Sequence, residues 1–110
     1  MTIIETSIFT RQIQSALSEE DYRELQNFLV DRPDSGNIIK GSGGLRKLRW
    51  HGSGHGKRGG LRIIYYWYTA KGIILMLFIY PKSERSNLTV AQIKTLRSIM
   101  ESEINEKGII

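Results

Sequence analysis

The 110-residue chain contains no cysteine. That absence removes a disulfide framework, a thiol nucleophile and a thiolate metal site. Its longest apolar stretch, Ile73 to Tyr80, is far short of the roughly 20 residues that span a bilayer. The leading MTIIETSIFTR has no basic segment followed by an apolar one. It does not read as a secretory signal, and a cytoplasmic protein without membrane attachment is expected. The most informative absence is of acid. Between Ser35 and Ser83 there is no Asp or Glu, while nine Lys and Arg residues fall there. The remainder carries seven basic and eleven acidic residues, so a +9 middle and a −4 periphery sum to the net +5. Such a segregated field suits a polyanion, because each phosphate contact needs a cation close by. A basic face kept for solubility is the plainer alternative.

With 40% hydrophobic residues, a chain of this length forms a core without staples, and one domain over 1–110 is expected. Thr2 to Glu5 is β-branched enough for a strand. Ile8, Phe9, Ile13, Ala16 and Leu17 follow helical spacing after Thr6 or Ser7 as cap. Ser18 opens a second helix with S-E-E-D, whose stripe is Tyr22, Leu25, Phe28 and Leu29, and Pro33 ends it. Residues 34–44 read as loop. Strands are expected at Leu45 to Trp50, Leu61 to Tyr68 and Ile73 to Tyr80, the last two joined by a turn at Thr69 to Gly72. Thr89 starts a closing helix with a T-V-A-Q capping box, and its stripe is Val90, Ile93, Leu96, Met100 and Ile104, ending near Gly108. The order β-α-α-β-β-β-α predicts an α+β fold with a small, largely antiparallel sheet.

Between the first two of those three strands lies HGSGHGKRGG. It fails as a P-loop, since His51 stands where the first Gly belongs and Arg58 where Ser or Thr belongs. Gly54 to Gly59 matches G-x-G-x-x-G, but it leads into a strand, whereas a dinucleotide fingerprint must open a helix. A glycine loop carrying Lys57 and Arg58 fits closure over a phosphate backbone; the alternative is a merely long hairpin loop. Strand alternation puts Lys47 and Arg49 on one face and Arg46, Leu48 and Trp50 on the other. In the next strand Arg62 shares a face with Ile64, Tyr66 and Tyr68. If the strands pair, Lys47, Arg49 and Arg62 converge, with Tyr80 and Lys82 at the margin.

Trp50 and Tyr80, at strand ends near this basic cluster, are the candidates for stacking on single-stranded bases. The run Tyr65 to Tyr68 reads better as sheet core. His51 and His55 are the only histidines. As general base and acid they would suit RNA cleavage. No carboxylate lies near enough in sequence to complete a metal site with them. In-line attack by a ribose 2′-hydroxyl needs proton removal, stabilisation of the phosphorane and help for the leaving oxygen. Arginine supplies the charge; a lysine serves as base only where crowded cations depress its pKa.

The segments GGLRKLRW at 43–50, GKRGGLRIIYY at 56–66 and IYPKSERSNLT at 79–89 together resemble a HigB-type toxin of the RelE superfamily. The resemblance extends over nearly the whole chain. It implies a RelE-like microbial ribonuclease fold and a type II toxin that cleaves mRNA in the ribosomal A site by metal-independent 2′-hydroxyl transesterification. It also implies neutralisation by a cognate antitoxin of the helix-turn-helix HigA type, with operator DNA bound only through that complex. No cofactor is implied. By the resemblance Lys47 and Arg49 match a strand-borne basic pair, Arg62 the arginine of the next strand, and Lys82 with Arg85 the cluster after the last strand. RelE itself has Arg where this chain has Ser83, and Tyr where it has Thr89. The expected catalytic set is Arg62, Lys57, Lys82 and Tyr80; the expected RNA-binding set is Lys47, Arg49, Arg46, Trp50, Arg58 and Arg85. The alternative is a non-enzymatic RNA- or ribosome-binding module, or an inactive toxin relic, acting by occupancy. A free ribonuclease using the two histidines is a third option.

Overall fold

The acid-free middle of the sequence builds most of a sheet, and the acid-bearing ends build the helices that clamp it. The computed structural model of the chain describes residues 1–52 and 60–106. In chain order the elements are β1 (Thr2–Glu5), α1 (Ser7–Ala16), α2 (Glu19–Asp31), β2 (Asn37–Ile38), β3 (Leu45–Trp50), β4 (Leu61–Tyr68), β5 (Ile73–Pro81) and α3 (Val90–Glu106). A 3-10 turn at Thr69–Lys71 links β4 to β5. It closes on Gly72 in the left-handed region, φ 61°, where a residue without Cβ is unstrained. The sheet order is β1-β5-β4-β3-β2. Only the β1–β5 pair is parallel; the other three are antiparallel. The expected α+β class and largely antiparallel sheet are therefore found.

Each helix starts where a side chain can accept an orphan N–H. Thr6 Oγ1 accepts from Phe9 N at 3.1 Å, and Ser18 Oγ accepts from Asp21 N at 3.1 Å. At α3 the capping box is reciprocal: Gln92 N donates to Thr89 Oγ1, and Thr89 N donates to Gln92 Oε1. The α1–α2 hairpin buries Phe9, Ile13, Leu25 and Leu29 against Ile63, Tyr65 and Met76 on one sheet face. Helix α3 buries Leu96, Met100 and Ile104 against Leu45, Ile64, Leu75 and Leu77 on the other. Truncating one of these side chains to Ala costs about 2–5 kcal/mol. The apolar stripe of α3 starts later than its spacing suggests. Val90 is 74% exposed, and the buried part of the stripe begins at Leu96.

Two features depart from the sequence reading. First, residues 34–44 hold the two-residue strand β2, paired with Arg46 and Lys47. Ser42 builds its hairpin: Ser42 Oγ donates to Ile39 O at 2.6 Å and accepts from Leu45 N at 3.0 Å. Two paired residues carry no periodicity, so nothing in the pattern announces them. Second, the β4–β5 register shifts between Ile64 and Tyr65. Ile64 faces Phe78 and Tyr65 faces Met76, leaving Leu77 as the extra residue of a bulge. Consecutive residues Leu77 and Phe78 thereby both pack toward α3, and every later residue of β5 changes face relative to simple alternation.

Side chains of the first helix finish the edge of β5. Thr6 N donates to Met76 O at 3.0 Å and Thr6 Oγ1 to Leu77 O at 3.1 Å. Gln12 mimics a neighbouring strand, accepting from Ile79 N at 2.8 Å and donating to Ile79 O at 2.9 Å. The far corner is tied by buried Tyr65, whose hydroxyl donates to Pro33 O at 2.8 Å and accepts from Gly36 N at 2.9 Å. A Cβ on Gly36 would lie 2.8 Å from the Tyr65 ring, so the approach of the two requires glycine. Replacing Tyr65 by Phe leaves the Gly36 N–H buried and unbonded. The expected cost is about 1–3 kcal/mol, read as a lower urea midpoint at unchanged slope.

Candidate functional site

Strand register sets one row of side chains across three strands. Arg49 of β3 stands opposite Arg62 of β4, and Arg62 stands opposite Tyr80 of β5. All three lie on the α3 side of the sheet, where Tyr80 belongs to the buried cluster that includes Leu96 and Met100 of α3. The Arg49–Arg62 pairing is the closer kind. Leu45 turns its backbone N–H and C=O toward Ser42 and Ile39 on the β2 side. Residues 47 and 49 follow the same alternation, so their side chains meet β4 in non-hydrogen-bonded pairs, about 4.5 Å apart at Cα. Like charges placed directly opposite destabilise a sheet. Here the arrangement concentrates positive potential at one point.

Arg62 is 6% exposed, although it carries a charge, and its Nη1 donates to Leu61 O at 3.2 Å. Tyr80 is 1% exposed. Its hydroxyl is enclosed and has no hydrogen-bond partner among the described residues. The Arg85 guanidinium lies over the Tyr80 ring, 5.8 Å from its centroid, within the range of a cation–π contact. Burial pushes the Tyr80 phenol above its ordinary pKa, while Arg62 and Arg85 pull it the other way. Near neutral pH the phenol is therefore a proton donor, aimed into a setting of two guanidiniums.

Lys47 lies one pair inward, opposite Ile64, and its Nζ donates to Asn87 Oδ1 at 3.0 Å. That bond ties the loop between β5 and α3 back onto β3. Asn87 was invisible as a site residue in the sequence, where an Asn between Ser86 and Leu88 reads as turn chemistry. Lys82 continues the β4–β5 ladder through its N–H, which donates to Gly60 O at 2.9 Å, and it is exposed. Lys47, Arg49, Arg62, Tyr80 and Arg85 are thus gathered at one end of one face, with Lys82 just beyond the strand end.

Arg46 and Trp50 are not brought there. Arg46 Nη1 donates to Asp34 O at 3.0 Å and Gly36 O at 2.8 Å, and its guanidinium lies 6.0 Å from the Trp67 ring centroid. Trp50 packs on Phe28 of α2 at 5.2 Å and stacks with His51 at 4.9 Å. Both are on the face covered by the helical hairpin, as even positions of β3 must be when its odd positions face α3. Lys57, Arg58 and His55 lie outside the described residues. Among the described residues no group of three His, Asp or Glu is placed to hold a metal ion. No described helix is long and apolar enough to cross a membrane.

No protein-family model matches the chain. Among solved structures it is similar to an arginine-to-alanine double mutant of the E. coli toxin RelE in the free state. The TM-score is 0.54 at 14% identity, covering 77% of this chain and 86% of that one. The likeness is one of fold: three helices with a five-stranded mixed sheet, in the α+β arrangement of RelE.

An enclosed hydroxyl without a partner is a cost to folding. Tyr80→Phe removes it while keeping the ring beneath Arg85. The variant is expected to be as stable as the parent or more stable by up to about 1 kcal/mol, measured from urea or thermal midpoints. A loss of stability beyond 1 kcal/mol would mean that the hydroxyl is bonded in the folded protein.

Proposed function

We infer that the chain is the toxin of a type II toxin–antitoxin system, of HigB type, and that it stops translation by cutting mRNA in the ribosomal A site. The observation that carries this reading is the row Arg49–Arg62–Tyr80 in an acid-free segment, on a fold shared with a protein named as a toxin. Cations and one neutral donor in one row suit a pentavalent phosphorane, which needs charge neutralisation more than it needs a nucleophile from the protein.

In the proposed reaction the ribose 2′-hydroxyl attacks the adjacent phosphorus and loses its proton. The bond from phosphorus to the 5′-oxygen breaks, and that oxygen takes up a proton. The products are a 2′,3′-cyclic phosphate and a 5′-hydroxyl. Arg62 balances the charge on the non-bridging oxygens. The Tyr80 hydroxyl donates to the same group, which supplies the partner it lacks. Lys82, or Lys57 of the glycine loop, serves in proton transfer. Lys47, Arg49 and Arg85 hold flanking phosphates, with Arg58 arriving from the glycine loop. Arg46 and Trp50 carry no role in this mechanism, since they anchor the opposite face. None of the steps calls for a metal or a cofactor.

Under this reading the partners are the ribosome with its mRNA and a cognate antitoxin of the HigA type, through which alone operator DNA is bound. The setting is the cytoplasm. Pulsed expression of the wild type should arrest growth and create new mRNA 5′ ends within coding sequence. Arg62→Ala should lower cleavage by about a hundredfold or more, as loss of an electrostatic donor does, with its circular dichroism unchanged. A folded, fully toxic Arg62→Ala protein would contradict the assignment. Arrest by the wild type without new ends would favour inhibition by occupancy.

A further inference from the structure

Strand β2 is shorter than β3, and the difference leaves a built concavity. Beyond Asn37, the first residue of β2, the outer edge of β3 runs on past Leu48 to Trp50 with no strand paired to it among the described residues. The N–H and C=O of Arg49 face this open edge, because odd positions of β3 turn their backbone groups toward β2. A cavity of about 440 Å³ lies there, with Leu48 and Ile38 as apolar surface and Ser35, Asn37, Lys47 and Arg49 as its polar groups. That volume falls within the range of small-molecule sites.

Lys47 Nζ donates one hydrogen bond to Asn87 Oδ1; the other three polar groups are unspent among the described residues. Ser35 Oγ is enclosed and has no hydrogen-bond partner among the described residues. The Asn37 side chain is exposed and makes no hydrogen bond among the described residues, so its amide offers one donor edge and one acceptor. The Arg49 guanidinium has no ion-pair partner among the described residues. Arg49 also belongs to the row facing Tyr80, so the cavity and the proposed reaction centre share a wall. One strand separates Tyr80 from Arg49, which puts the cavity roughly 10 Å from β5. A single strand of RNA crossing the row would pass directly over it.

We propose that this cavity is a nucleotide subsite, in which Arg49 and Lys47 hold the phosphate and the Asn37 amide reads the edge of the base. Its ligand is one ribonucleotide unit of single-stranded RNA next to the scissile position, and Asn37 is a specificity-determining residue. A side-chain amide pairs with a base edge carrying a donor beside an acceptor. A phosphate by itself would use the cations and leave Asn37 and the apolar surface unoccupied. The inference rests on the proposed function for its place in catalysis, but not for the binding itself.

Two measurements separate these dependencies. The first is a titration of the full chain, followed by NMR of the Asn37 side-chain amide, with the four ribonucleoside 3′-monophosphates and with inorganic phosphate. At least one nucleotide should shift the Asn37 amide and Arg49 resonances and bind more tightly than phosphate. Asn37→Ala should weaken that nucleotide about tenfold while leaving phosphate affinity unchanged. Equal binding by phosphate and all four nucleotides, or no shift at Asn37, would overturn the proposal. The second is the distribution of bases around mapped cleavage sites. Among the cuts that remain, Asn37→Ala should lose base preference at one position beside the cut. An unchanged preference at every position would likewise overturn it. If the wild type produces no cuts, the proposed function fails, and the titration still decides whether the cavity takes a nucleotide.

Discussion

Arg49, Arg62 and Tyr80 stand in one row because β4 is paired on both sides in a register that sets Arg62 between the other two. In a sheet the side-chain period is two, so one residue of slip sends a side chain to the opposite face. The bulge at Leu77 is that one residue, and it decides the face on which Tyr80 lies. Without it, Tyr80 would turn toward the helical hairpin and Ile79 toward α3. The hydrogen bonds from Thr6 to Leu77 O and between Gln12 and Ile79 fix the bulged stretch from its outer side. The geometry of the site thus depends on a ladder irregularity held in place by the first helix.

Charge placement sets the electrostatic character of this end of the sheet. The stretch from Ser35 to Ser83 has no carboxylate of its own. Glu19, Glu20 and Asp21 sit in the first turn of α2, where the helix dipole favours them, and Glu5 accepts from Thr10 and Tyr22 at the far edge. Positive potential therefore accumulates around Arg62 and Arg49, and the enclosed Tyr80 hydroxyl adds an unmet donor. Each of these is unfavourable to the folded chain by itself. In the proposed site an anion with several oxygens would relieve all of them together.

Much of this was legible in the sequence, and the reasons differ by element. The three caps Thr6, Ser18 and Thr89 were readable because capping is local chemistry. Strands β3, β4 and β5 were readable from their apolar runs, and the shared face of Lys47, Arg49 and Arg62 followed from alternation once pairing was assumed. The same alternation already placed Arg46 and Trp50 on the other face. Nearness in sequence to the basic cluster made them look like RNA contacts, whereas Trp50 is engaged by Phe28, some 20 residues away. Strand β2 and the Leu77 bulge were not legible, since neither leaves a periodic trace. Asn37 and Asn87 were hidden for the same reason: their meaning comes from the cavity and from the Lys47 bond that tertiary structure creates.

The central claim is that the chain's cations and Tyr80 promote attack by the RNA's own 2′-hydroxyl. The most direct test is the chemistry of the cut ends, read on mRNA fragments from translating ribosomes incubated with the purified protein. The account predicts a 2′,3′-cyclic phosphate on the upstream fragment and a 5′-hydroxyl on the downstream one. A 3′-hydroxyl paired with a 5′-phosphate would mean that water, not the ribose, is the nucleophile, and would contradict it.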